Sequence, residues 1–157
     1  MKSTTRNLFT KNIILAIGLF VFLGSIIIPA IAADRFIDNG DGTVTDTKTG
    51  LVWAAKDNGE IINWAEAHSY CQGYNGGGHK DWRMPTLVEL KTLYDPEIEN
   101  TGGYHIPSAI DTTAESCWAS DTRGDIAARF NFTHGREYWL RKTHSGVGRV
   151  LPVRNGN

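Results

Sequence analysis

The sequence predicts an α+β domain, and three observations predict it. Turn-rich strand runs lie at both ends of the chain, two capped amphipathic segments lie between them, and the apolar residues switch from alternating to helical spacing and back. Before these comes a separate segment. Residues 1 to 12 carry Lys2, Arg6 and Lys11 without an acid, and residues 13 to 28 carry no charge. Ala30-Ile31-Ala32 follows, the small-x-small pattern read by a signal peptidase. Residues 1–32 are therefore expected to be a signal peptide and residues 33–157 an exported domain of the periplasm, the cell surface or the medium. A 16-residue apolar run falls short of the ~20 residues of a spanning helix. The alternative is an uncleaved anchor, the one case in which a membrane is a partner. No cysteine follows the run, which argues against a lipid anchor.

The first strands form a β-meander. Asn39-Gly40-Asp41-Gly42 separates Arg35–Asp38 from Thr43–Asp46, and Asn-Gly and Asp-Gly favour the positive φ of hairpin turns. A turn at Thr47–Gly50 leads to Leu51–Ala54. The acids Asp38, Asp41 and Asp46 do not make a calcium loop, because the ligand positions of an EF-hand fall on Gly40, Gly42 and Thr49. Next come the helices. Asn63 and Glu66 form a capping box ahead of Trp64, Ala67, Cys71 and Tyr74, which places a helix from 64 to about 73. Thr86 and Glu89 repeat the device before Leu87, Leu90, Leu93 and Tyr94. Between them Gly76-Gly77-Gly78 is a connection without the Lys-Ser/Thr of a phosphate loop. Residues 95 to 116 form a long loop, and long loops in compact domains are often functional. A C-terminal antiparallel sheet follows, with strands at 116–120, 126–132, 137–142 and 147–154.

Thirteen aromatic residues follow Ala33, and a core of this size rests on them, because each buried ring removes roughly 150 to 250 Å² from water. Trp53, Trp64, Trp82 and Trp118 are expected in it. Cys71 and Cys117 are the sole cysteines. In an oxidising compartment they form either a disulfide, worth about 4 kcal/mol by loop closure, or two buried free thiols. No CxxC redox motif is present.

Charge is distributed unevenly. Residues 33–121 hold 6 bases and 15 acids, net −9, while residues 122–157 hold 7 bases and 2 acids, net +5. The C-terminal part is where a polyanion would be attracted, unless its bases neutralise the acids of the other half. Arg136, Trp139, Arg141, Lys142, His144 and Arg149 are the candidate ligand-binding residues, since guanidinium forks fit sulfate and carboxylate oxygens and aromatic faces suit sugar rings. The residues offer little for catalysis. His68, His79, His105, His134 and His144 match no zinc spacing, and no serine sits in a GxSxG context. No metal, cofactor or nucleic-acid partner is expected. Asp95, Glu97 and Glu99 leave a carboxylate-dependent glycan-acting enzyme as a minor alternative. A structural or assembly component of the envelope, without a small ligand, is the other.

Five blocks carry a resemblance: DNGDGTVTDTKTGLVW at 38–53, NWAEAHSYC at 63–71, DWRMPTLVEL at 81–90, SCWAS at 116–120 and RVLPVRNG at 149–156. Together they resemble the Lcl C-terminal domain family, named after the Legionella collagen-like adhesin. The resemblance implies a C-type lectin-like fold, exposure at the cell surface, a homotrimer, and binding of sulfated or otherwise acidic glycans by a non-catalytic adhesion module. This chain has no collagen stalk, and where many relatives carry a cysteine in the final strand it reads RVLPVR, so the resemblance leaves Cys71 to pair with Cys117. Arg83-Met84-Pro85-Thr86 with Glu89 also looks like the Arg-Leu-Pro-Thr segment of formylglycine-generating enzymes, whose reactive cysteine pair is missing here. That block is read as structural: Pro85 fixes the entry, Thr86 caps, and Arg83 ties the loop down.

Overall fold

The computed structural model describes residues 34–146 and 148–156. The expected signal peptide lies outside them. The described domain is α+β, with two helices and two antiparallel sheets. Strands β1 (Phe36–Asp38), β2 (Thr43–Asp46) and β3 (Leu51–Ala54) form the expected meander. Its first turn holds Gly40 and Gly42 at φ 75° and 84°, the left-handed region that glycine enters without steric cost. Asn39 fastens the hairpin from the side through hydrogen bonds from its amide to the Thr43 and Thr45 hydroxyls, at 2.9 and 3.0 Å.

Helix α1 (Trp64–Gly73) and helix α2 (Leu87–Leu93) begin at the predicted boxes. The Asn63 side chain accepts the Glu66 N–H and the Glu66 carboxylate accepts the Asn63 N–H; Thr86 and Glu89 do the same. Each box satisfies two of the four N–H groups that a helix start leaves orphaned. Asp121 adds a third contact at α2, its carboxylate accepting the Leu87 N–H at 2.6 Å.

Strands β4 (Ser116–Arg123), β5 (Ile126–Asn131) and β6 (Arg136–Arg141) form a second sheet in that order. The fourth strand of the tail departs from expectation. Only Val153–Asn155 is extended as a strand (β7), and it pairs with β3 to complete the first sheet as β1-β2-β3-β7. The segment before it crosses between the sheets. Arg149 exchanges backbone hydrogen bonds with Trp118 and Ser116, the Ala54 N–H donates to Pro152 O, and Val153 exchanges a pair with Arg83 at 2.8 and 3.0 Å. Gly148 opens this crossing. A Cβ there would collide with the Trp118 indole, whose Nε1 donates to Ile62 O at 2.9 Å, so only glycine lets the backbone lie against the ring.

The two faces of the second sheet carry two cores. Cys117, Ala119, Ala128, Phe130 and Phe132 join Val44, Trp53, Leu87, Leu90, Leu93 and Val153 in the larger. Trp118 and Ala127 join Ala67, Cys71, Met84 and Val150 in the smaller, against α1. Trp53, Trp82 and Trp118 are buried as expected, and Trp64 is half-buried at the rim of the smaller core. Arg83 acts as the expected tie, holding Glu89 through two hydrogen bonds of 2.8 and 2.6 Å and reaching Asn155 at 3.2 Å.

The expected disulfide is not formed: Cys71 and Cys117 are both free and buried. Successive residues of a strand point to opposite faces, so Cys117 enters the larger core while its neighbour Trp118 meets Cys71 in the smaller. The β4 backbone stands between the thiols.

Candidate functional site

The outer strand β6 carries most of the candidate residues, and the strand period sorts them. Trp139 lies opposite Ala128 and Arg141 opposite Ile126, so they share the face of the larger core. Arg123 joins them. It lies on the other side of Ile126, and its guanidinium stacks over the Trp139 ring 3.7 Å from the centroid. A bulge between Trp118 and Thr122 brings it there by shifting the β4 register. Glu137, also on this face, is already engaged. It accepts a short hydrogen bond from Lys91 Nζ and a 3.4 Å bond from the Trp139 indole. The Lys91 bond leads in holding the Glu137 carboxyl below its ordinary range.

The remaining candidates lie elsewhere. Arg136 is at the far end of β6, five residues or about 17 Å from Arg141, on the opposite face beside Tyr138. Lys142 follows β6 and sets its ammonium 4.9 Å from the centroid of the Trp64 ring, and its carbonyl accepts the Trp64 N–H at 3.1 Å. His144 is exposed in the turn beyond. Arg149 is directed inward, its side chain only 14% exposed and its Nε 3.7 Å from the buried Asp57 carboxylate.

The bases of the tail thus divide. Arg149 meets Asp57, and Arg154 donates to Asp81 at 2.8 Å, so two of them neutralise acids of the N-terminal half. Arg129 is buried with its guanidinium 5.3 Å from the Tyr138 ring centroid. Among the described residues, Arg123, Arg136, Arg141 and Lys142 have no carboxylate within ion-pair distance. Arg123, Arg141 and Lys142 gather as a cationic border at the C-terminal end of β6, where the charge of Arg123 also reaches Glu137, and Arg136 stands apart at the start of the strand on the other face. The sequence singled out Arg141 and Trp139 through alternation, but not Arg123 as their partner, because a bulge leaves no periodic signal.

Asp95, Glu97 and Glu99 are exposed on the long loop, where Asp95 Oδ1 accepts the Glu97 N–H at 2.9 Å. No group of three or more His, Cys, Asp or Glu side chains among the described residues is placed to hold a metal ion. No helix among them is long and apolar enough to cross a membrane.

A search of curated proteins returned no significant match. The model of one family, the Lcl C-terminal domain, matches residues 42–154, from the first hairpin turn into β7, and the chain belongs to that family.

Proposed function

We propose that this chain is an exported, non-catalytic adhesion module that holds acidic glycans through the face and end of β6. Family membership supports the coarser part of this reading, a module related to a cell-surface adhesin. The finer part rests on one observation: among the described residues Arg123 at the end of β4 and Arg136, Arg141 and Lys142 on or just after β6 have no carboxylate within ion-pair distance, while Arg149 and Arg154 are neutralised. A charged group is costly to leave without either water or a counter-charge, and these four keep water on one side, ready to exchange it for sulfate or carboxylate oxygens. The Trp139 ring beneath Arg123 holds the guanidinium in place for an anionic group.

Retention on immobilised heparin tests the proposal. The wild-type protein should bind at low salt and elute as ionic strength rises, because charges at a surface are screened over about 8 Å at physiological salt. Replacing Arg136, Arg141 and Lys142 together by Ser should abolish retention and leave the melting temperature nearly unchanged, since none of the three holds an internal acid. Absence of wild-type retention, or loss of folding in the triple variant, would overturn it. One observation favours an assembly role as the second reading: β1 and β6 are edges without a neighbouring strand among the described residues. Light scattering of the ligand-free protein would then show an oligomer such as a homotrimer.

A further inference from the structure

A cleft of about 380 Å³ lies between α1 and the start of α2. His68 and Gln72 stand one helical turn apart on its α1 wall, and Ser120 of β4 faces them. Trp82 and Met84, each 4% exposed, make the floor. Arg83 and Thr86 close the end.

What distinguishes the cleft is the state of its polar groups. None of the side chains of His68, Gln72 and Ser120 makes a hydrogen bond to another described residue, although the groups around them are spent. The Arg83 guanidinium is taken by Glu89 and Asn155, the Thr86 hydroxyl accepts the Glu89 N–H, and the Trp82 indole donates to Gly76 O at 3.1 Å. The His68 ring is held in place by stacking on Trp64, with centroids 5.5 Å apart. A few convergent polar groups over an apolar floor, in a volume near the lower end of the roughly 300 to 1,000 Å³ of small-molecule sites, describe a ligand pocket.

Charge selects the class of ligand. The one cation in the lining is neutralised by Glu89, and no carboxylate lines the cleft, so an ionic ligand would find no partner. The unspent groups are an amide, a hydroxyl and an imidazole, each able to donate or accept. An amide on the ligand matches the Gln72 side chain and the Ser120 hydroxyl, ring hydroxyls match the imidazole, and a methyl group fits against Met84 and Trp82. We infer that this cleft is a subsite for an uncharged N-acetylated sugar unit, lined by residues other than those of the cationic border.

Saturation-transfer NMR of the purified protein with N-acetylglucosamine as the probe tests this. At about 10 mM sugar even a site with a Kd near 1 mM is occupied. The acetamido methyl should receive the strongest transfer. Gln72→Ala and Ser120→Ala should each weaken binding about threefold to tenfold, the range for one lost hydrogen bond. Both variants should keep wild-type retention on heparin, which separates this site from the charged one. Absence of transfer, glucose binding as tightly as N-acetylglucosamine, or binding unaffected by either substitution would overturn the inference.

Discussion

Asp46 is fully buried, yet it stays ionised because it is saturated with donors. Burial pushes its carboxyl pKa up. The Arg35 guanidinium at 2.8 and 2.7 Å, the Thr49 hydroxyl at 2.8 Å and the Lys48 N–H at 3.0 Å together outweigh burial and bring it below the ordinary 3.8. A carboxyl whose folded pKa is depressed contributes stability that is complete above its unfolded pKa and is lost as pH falls through the folded one. Stability measured by urea titration should therefore drop below about pH 4, and Asp46→Asn should flatten that drop while costing about 2 kcal/mol at neutral pH. Cys71 is the opposite case. Burial pushes its thiol up to about 12, and burial raises Cys117 as well. The folded protein should resist iodoacetamide at pH 8, and the unfolded protein should take up two alkyl groups without reductant, both read by intact mass. The pairing of these cysteines could not be decided from the sequence, because β4 alternation, which separates the thiols, depends on which face α1 covers. The Arg83 tie was legible, since its partner Glu89 lies six residues away and is fixed by its own cap.

Helix α2 has only seven residues, too few to persist alone, so its ends and its buried Leu87, Leu90 and Leu93 must hold it. Glu89 serves it twice. One carboxylate both closes the capping box and receives Arg83, and these bonds offset the upward push of burial to leave its pKa below 4.5. Thr86→Ala should cost about 1 kcal/mol in urea unfolding. Glu89→Ala should cost more, because it also leaves the half-buried Arg83 guanidinium without its carboxylate partner. Both helices were legible because caps and apolar spacing are local. The last strand was misplaced for the converse reason. Val150, Leu151 and Val153 are apolar in a row and buried together, and such a run is silent about which of two sheets accepts it.

At the scale of the molecule, the two halves of the charge distribution meet in only part of the tail. Arg149 and Arg154 join Asp57 and Asp81, and these two contacts anchor the crossing segment to the N-terminal half. Replacing Arg149 by Ser should therefore lower stability by about 3 kcal/mol, leaving Asp57 buried against Thr113 without its cation, whereas Arg141→Ser should leave the melt unchanged. A thermal scan of the two variants distinguishes the structural base from the free one. This division was hidden in the sequence, where both arginines are members of one basic run. The crossing segment also sets the order of events in folding. Register pairs Trp53 with Val153, a hundred positions later, so a chain made from its N-terminus cannot finish its first sheet until nearly all of it has been synthesised. Distant pairings slow folding by demanding loop closure before any contact rewards it. The domain should accordingly remain open through synthesis and close late, so that a chain cut short before Val153 leaves β3 with a bare edge where its last partner would lie.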